Sequence, residues 1–462
     1  MTIIQQRVLS LLGAGLIGLG AALPASAESA SVDYGPDDLG GALTPSGAIA
    51  AANDDGSIPE WSGKWQGVPP HISHDGKVHA DPYADDEPLY TITADNVGEY
   101  ADLLSPGQQA LFEAYPESFE MRVYPTRRDF RASDRRIKNM RLNAEQAQLT
   151  HDGELLEGAY GGPAFPIPDS GLHIIYNVIS ATAPWLIEAP QVSMYVHANG
   201  SVTESEVLLK TYSPYARGND REGWEDGDIF AYSFSEELAP PRNKGRTTLS
   251  ANTYDFRGGS GREAWQYDPG TRRVRKTPDV QHDYPVPQGP RVVDEQNGFN
   301  GSPHRFEWKL VGRQELIVPF HNYRMESRNL DYEDFIGPIG HPNPKHIRYE
   351  RRRVWVIEGS LKEGTRHIYS KRRFYVEEDS WHKVVADMYD KRGELWRVST
   401  DAMIYAYDAG GYYNNVSMYH DLDAGSYSIE KLSNEKPFGA RFNFREPRPG
   451  EFSPEGLRRQ GR

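Results

Sequence analysis

From Gln191 onward the chain breaks into short runs of β-branched and aromatic residues separated by Gly, Pro, Asn and Asp. The run from Ile347 to Tyr407 shows this most plainly. Three turns, Lys362-Glu363-Gly364-Thr365, Glu378-Asp379-Ser380 and Asp390-Lys391-Arg392-Gly393, cut it into four pieces rich in Val, Ile, Tyr, Phe and Trp. Such residues suit a pleated, half-buried surface, and short polar turns with Gly at a left-handed position join antiparallel neighbours. The run therefore predicts an antiparallel meander. Within it Trp355 and Ile357 share one face of the strand Arg353–Glu358, while Val354 and Val356 take the other. The bulk of the indole turns the Trp355 face toward whatever covers the sheet.

The same signals predict strands at Gln191–Ala198 and Ser201–Tyr212 around Asn199-Gly200, and at Ile229–Glu237 and Arg246–Phe256. Arg262–Tyr267 and Arg272–Lys276 flank Asp268-Pro269-Gly270-Thr271, and Tyr412–Asp421 and Gly425–Leu432 follow the meander. His304–Val311 and Arg313–Tyr323 read as two strands on either side of Gly312. The total is about ten to twelve strands. Helical periodicity is confined to a few places. Thr44 and Pro45 open a short helix to Ala52, ended by Asn53-Asp54-Asp55-Gly56. Residues 93–114 carry an apolar stripe that Ser105-Pro106 divides in two. Gly171–Thr182, capped by Asp169 or Ser170, is apolar on nearly every side, so it should lie buried over the sheet.

Charge and composition narrow the function. The formal net charge of −15 argues against nucleic acid, where basic surface dominates affinity. The absence of Cys excludes disulfides, thiolate nucleophiles and an N-terminal lipid anchor on cysteine. Arg7, the apolar run Val8–Leu23 and Ala25-Ser26-Ala27 form a secretory signal, with cleavage after Ala27 and a periplasmic destination. The chain then divides into a signal at 1–27, an irregular and helical region at 28–168, a β region with its buried helix at 169–436 and a C-terminal arm at 437–462. The Gly161–Pro168 connector lies beside the second boundary, and the Arg- and Pro-rich arm is expected along the surface.

Candidate chemistry is sparse. There is no nucleophile elbow, H-E-x-x-H or Walker sequence. His71, His74 and His79 fall in a loop with no periodicity to place them on one face, so no metal site is expected. Glu377, Glu378 and Asp379 could supply paired carboxylates, but at a turn they read as a solvated acidic tip. His367 and His382 lie on strands flanking that turn and could approach each other and its carboxylates. The basic stretch Arg127–Arg141 reads as a face paired with the protein's own carboxylates, with an anionic head group or partner as the alternative.

Several phrases resemble one family: Gly47-Ala48-Ile49-Ala50-Ala51-Ala52-Asn53-Asp54-Asp55-Gly56-Ser57-Ile58-Pro59-Glu60-Trp61, Tyr124-Pro125-Thr126, Asn143-Ala144, Gly161–Pro168, Phe299-Asn300-Gly301-Ser302-Pro303 through Trp308, Val354-Trp355-Val356 through Trp396-Arg397-Val398, and Leu457-Arg458-Arg459. It is an uncharacterised group of secreted Gram-negative proteins called outer-membrane lipoprotein-sorting-like, domain of unknown function family 1329. The chain departs from the family at His173-Ile174-Ile175-Tyr176-Asn177-Val178, where a Glu-Ala-x-Trp-Asn-His phrase is usual. The resemblance implies a mainly β fold, a curved antiparallel half-barrel of the LolA/LolB type covered by helices. It also implies work beside a resistance-nodulation-division-type transporter and an outer-membrane partner.

What remains is apolar surface. A curved sheet under few helices tends to leave a cavity for an apolar ligand. The candidate lining is Trp308, Trp355, Ile357, Tyr369, Phe374 and Trp396 from the strands, with Ile175 and Ile179 from the helix. The expectation is a periplasmic carrier of a lipid or other hydrophobic molecule, without cofactor, metal or catalysis. A secreted hydrolase of glycans or esters and a structural adaptor in an envelope complex are the alternatives.

Overall fold

The computed structural model describes residues 34–218, 224–277, 282–286 and 289–460, so the signal sequence read at 1–27 lies outside the described residues. The strands are β1 (Tyr90–Ile92), β2 (Met121–Val123), β3 (Gln148–Thr150), β4 (Leu155–Glu157), β5 (Leu186–Val196), β6 (Val202–Tyr212), β7 (Ile229–Ala239), β8 (Thr247–Thr253), β9 (Arg262–Asp268) and β10 (Arg273–Lys276). They continue with β11 (Phe306–Pro319), β12 (Tyr349–Leu361), β13 (Lys371–Glu377), β14 (Lys383–Tyr389), β15 (Leu395–Ala406), β16 (Gly411–Asp421), β17 (Ser426–Leu432) and β18 (Arg441–Phe442). The helices are α1 (Pro106–Ala114), α2 (Asp134–Gln146), α3 (Gly171–Ser180), α4 (Pro214–Arg217) and α5 (Pro454–Gln460).

The meander β12 to β17 pairs strand by strand, as its turns predict, and β5 to β10 form a second meander. The two join where β17 pairs with β5. Together with β1, β2, β11 and β18 they make one 16-stranded sheet. Every pairing in it is antiparallel except the contact of Tyr349 with Val123. The path runs from β1 to β10 without closing on itself, so the fold is mainly β and the sheet stays open.

One face of the β12–β17 half packs under α1 and the chain around Met325–Tyr349, through Leu111, Phe112, Ile317, Ala402, Met418 and Ile429. The other face packs under α3. Ser105 caps α1 by accepting a hydrogen bond from Gln108 N, so Ser105-Pro106 does divide the helical stretch. The basic segment spends its charge internally: Arg127 on Asp86, Arg128 on Asp379, Arg131 on Asp134, and Arg136 on the Ala181 carbonyl.

Three expectations change. β11 is one continuous strand and not two. Phe306–Pro319 pairs with β12 throughout, with a bulge between Leu310 and Gly312. A single glycine offers no two-residue reversal, so the chain absorbs the extra residue and runs on. Residues 45–52 are not helical; Gly47 takes φ +94° and Thr44 and Ala48 close a turn through Ala48 N to Thr44 Oγ1. The C-terminal arm does not simply lie along the surface. β18 pairs with β5, and α5 inserts Leu457 beside Phe234, Leu249 and Tyr267. Burying that leucine is worth about 1.5–3 kcal/mol.

Candidate functional site

Helix α3 starts where Ser170 accepts a hydrogen bond from His173 N. Gly171 brings it close to the sheet: a Cβ there would stand 2.7 Å from the Trp308 carbonyl oxygen. Asn177 fixes the helix to the connector through two hydrogen bonds to the Phe165 backbone, each 2.7 Å. Ile174, Ile175 and Val178 then meet Trp355, Ile357, Tyr369, Phe374 and Met388 in one buried cluster, with Ile179, Trp308 and Trp396 partly buried against it. All eight residues singled out in the sequence are thus brought together. Ile357 lies opposite Phe374, and Phe374 opposite Ala386. The Trp355 face is the one under α3, while Val354 and Val356 join a separate cluster with Leu316 and Tyr375.

Polar groups border this apolar cluster. Tyr369 donates to Glu295 (3.0 Å) and accepts from Arg397 (3.0 Å), and Trp396 Nε1 donates to Asp421 (3.1 Å). Arg372 shares the Phe374 face and donates to both oxygens of Asp294 at 2.9 and 2.8 Å. His367 joins them, 3.1 Å from Asp294. Burial pushes the Asp294 carboxyl up, but Arg372 and His367 outweigh it and hold it at about 2. Among the described residues, three buried donors of Trp355 and Arg372, namely Trp355 Nε1 and Arg372 Nε and Nη1, meet no acceptor. His382 does not approach His367; it contacts the Ser380 carbonyl, and burial pulls it down to about 4.

The turn Glu377-Glu378-Asp379 corrects the sequence reading. It is not a solvated tip: all three carboxylates are enclosed by arginines. Arg352 donates to Glu377 (2.7 Å) and Asp379 (2.9 Å), and Arg128 makes two hydrogen bonds to Asp379 (2.8 and 2.9 Å). Glu378 stands 3.7 to 4.0 Å from Arg353, Arg128 and Arg313, beyond hydrogen-bond reach. Burial therefore wins there and pushes its carboxyl up to about 7. The network continues through Glu350, which accepts from Arg348 at 2.8 Å and lies 2.9 Å from His321 Nδ1. Arg128 also donates to the Ile49 and Pro59 carbonyls, and Trp381 Nε1 to Ser46, so the N-terminal phrase Gly47–Trp61 is stitched over the turn. Held this way, the carboxylates tie β12 and β13 to the segment around Arg128. Sequence reasoning missed these ties because their arginines come from distant stretches.

The arrangement defines a class: an open antiparallel sheet with an apolar, polar-edged cluster sealed by one buried helix. The chain belongs to the DUF1329 family, proteins of unknown function, whose family model matches residues 91–458. It is 34% identical over 433 residues to an uncharacterized protein of Pseudomonas aeruginosa, covering 92% of each chain. Among solved structures, a putative outer membrane lipoprotein-sorting protein domain from Vibrio parahaemolyticus is 14% identical, with a TM-score of 0.42, covering 62% of this chain and 97% of that one. A DUF1329 family protein from Desulfovibrio piger is also 14% identical, with a TM-score of 0.43 and the same coverage. A LolA superfamily protein from Nitrosomonas europaea is 11% identical at a TM-score of 0.37, covering 62% of this chain and 98% of that one. No helix among the described residues is long and apolar enough to cross a membrane.

Proposed function

We propose that the protein is a periplasmic carrier that takes a hydrophobic molecule between α3 and the sheet. It would pass that molecule between envelope components beside a resistance-nodulation-division-type transporter and an outer-membrane partner. The observation that carries the reading is the convergence of Trp308, Trp355, Ile357, Tyr369, Phe374, Trp396, Ile175 and Ile179 on one cluster in a sheet that does not close. Unpaired donors at separate points of the cluster, Trp355 Nε1 and Arg372 Nε and Nη1, favour a ligand that carries acceptors as well as apolar surface. Each CH₂ buried contributes ~0.8 kcal/mol, so a long acyl chain gains on the order of 10 kcal/mol before ordering costs. That suffices for carriage without a covalent step. The ligand enters as α3 yields its place over Trp355 and Ile357.

Organic extraction of the purified protein followed by mass spectrometry should release an amphipathic lipid. Ile357→Lys places an ammonium in the cluster and should abolish uptake of a fluorescent fatty acid. If that variant does not fold, Trp396→Ala at the partly exposed rim should weaken uptake instead. An empty extract, together with folded variants that take up the probe at wild-type affinity, would sink the reading.

A further inference from the structure

Two of the three histidines in the loop His71–His79 do converge, on a partner that lies more than 300 residues away in the chain. His79 Nε2 is 2.8 Å from Asp408 Oδ1 and His74 Nε2 is 3.4 Å from Asp408 Oδ2. Asp408 sits in the turn between β15 and β16. The two imidazoles stack at 5.0 Å, and each meets the Tyr407 ring at a steep angle, at 5.0 and 4.9 Å. One nitrogen from each ring and one Asp408 oxygen all lie within 4.8 Å of one another. His71 stands apart, against the Pro82 carbonyl.

We propose that His74, His79 and Asp408 bind a divalent transition-metal ion of the zinc class. Imidazole and carboxylate are its usual ligands, at about 2.0–2.2 Å, which puts tetrahedral ligand atoms roughly 3.3 Å apart. His74 Nε2 stands 3.4 Å from one Asp408 oxygen and His79 Nε2 2.8 Å from the other, so an ion would part the second pair by a few tenths of an ångström and draw both nitrogens toward one oxygen. The outer contacts fit as well. His74 Nδ1 lies 3.3 Å from the Val78 carbonyl, and His79 Nδ1 lies 3.5 Å from Glu326 Oε2, a buried oxygen with no hydrogen bond of its own. Oxygen acceptors behind both rings orient Nε2 toward a metal and raise its basicity. His79 is almost fully enclosed while the Asp408 side chain keeps 24% of its surface exposed, so an ion can enter from solvent and keep a coordination position there. Bound metal would pin the loop that carries His74 and His79 to the β15–β16 turn. The site is separate from the α3 cluster and does not depend on the carrier reading.

The test uses the untagged, chelator-stripped protein in equilibrium dialysis with zinc, and cobalt(II) as a spectroscopic probe. One zinc per chain and intense visible cobalt bands of a four-coordinate site are expected. His74→Ala and Asp408→Asn should remove both, Glu326→Gln should weaken zinc binding about 10-fold or more, and His71→Ala should change neither. His74 lies in a surface loop, so its variant stays informative if a change at His79 impairs folding. Equal zinc binding by wild type and by the His74→Ala/Asp408→Asn double variant, or a cobalt spectrum of the free aqua ion, would overturn the proposal.

Discussion

Strands β12–β17 and β6–β10 belong to one sheet, yet they treat polar residues in opposite ways. In β14 every position from Lys383 to Met388 is buried, because α1 and β11 pack against it on one side and the α3 cluster on the other. Lys383 and Asp387 inside it must therefore find partners: Lys383 pairs with Asp401 at 2.8 Å, and Asp387 accepts from Ser105 and Gly107. In β7 only Phe234 is buried, facing α5. The opposite face runs through Ser235, Thr248 and Gln266, half-exposed and in no need of ion partners. The same two-residue alternation thus yields a doubly covered, ion-tied half and a singly covered, pliable one. A second covering layer turns each polar position into an obligatory pair.

The contrast breaks first at Arg352. Arg352→Met leaves Glu377 and Asp379 buried without their shared cation, which should cost about 3–5 kcal/mol in urea unfolding. Thr248→Ala in the pliable half should stay within about 0.5 kcal/mol. Equal costs would show that the arginine clamp holds nothing together. A smaller effect sharpens the comparison. Leu457→Ala empties the α5 contact and should cost about 2–5 kcal/mol, near the lower end because the site can collapse. Hydrogen exchange should quicken in β8–β10 and stay unchanged in β13–β15; a uniform change would mean that the halves open as one unit.

The smallest expected effect is a pH response seated in the doubly covered half. Burial pushes the Asp387 carboxyl up to about 6, only partly offset by its hydrogen bonds from Ser105 and Gly107. A folded value above the unfolded one favours the neutral acid. Its contribution is full below the unfolded pKa near ~4 and is lost as pH rises through about 6, by at most ~3 kcal/mol. Glu350 has the opposite sign. Burial raises it, but His321 and Arg348 prevail and hold it at about 2, so its contribution is lost as pH falls from the unfolded value toward 2. Asp387→Asn should therefore lessen the decline in melting temperature that wild type shows between about pH 4 and 6, and leave the acid limb intact. An unchanged decline would place its origin elsewhere.

Much of the fold was legible in local signals. Gly364 and Gly393 take positive φ at the predicted turns, Asn199-Gly200 turns β5 into β6, and the all-apolar α3 is buried as its composition requires. The apolar cluster was legible too, because a bulky face on a central strand has to be covered. The charged ties were not. Glu377-Glu378-Asp379 looks like any polar turn until Arg128 arrives from 251 residues away, and His79 meets Asp408 across 329 residues. Pairings of that range leave no periodicity to read. Gly312 misled for a different reason: a bulge and a turn share the same residue, and only the register on β12 separates them.

The β17–β5 pairing has a consequence for how the chain is made. The Tyr195 and Ser426 hydroxyls meet across this seam, 231 residues apart in sequence. During synthesis the β5–β10 meander can assemble from local turns, but the β5 edge it presents has no neighbour until β17 emerges. Loop closure of that length is slow, and an unpaired edge recruits whatever strand is nearby. The seam therefore times maturation to the end of the chain. A truncation that removes β17 would leave a well-formed meander with an open, self-associating border.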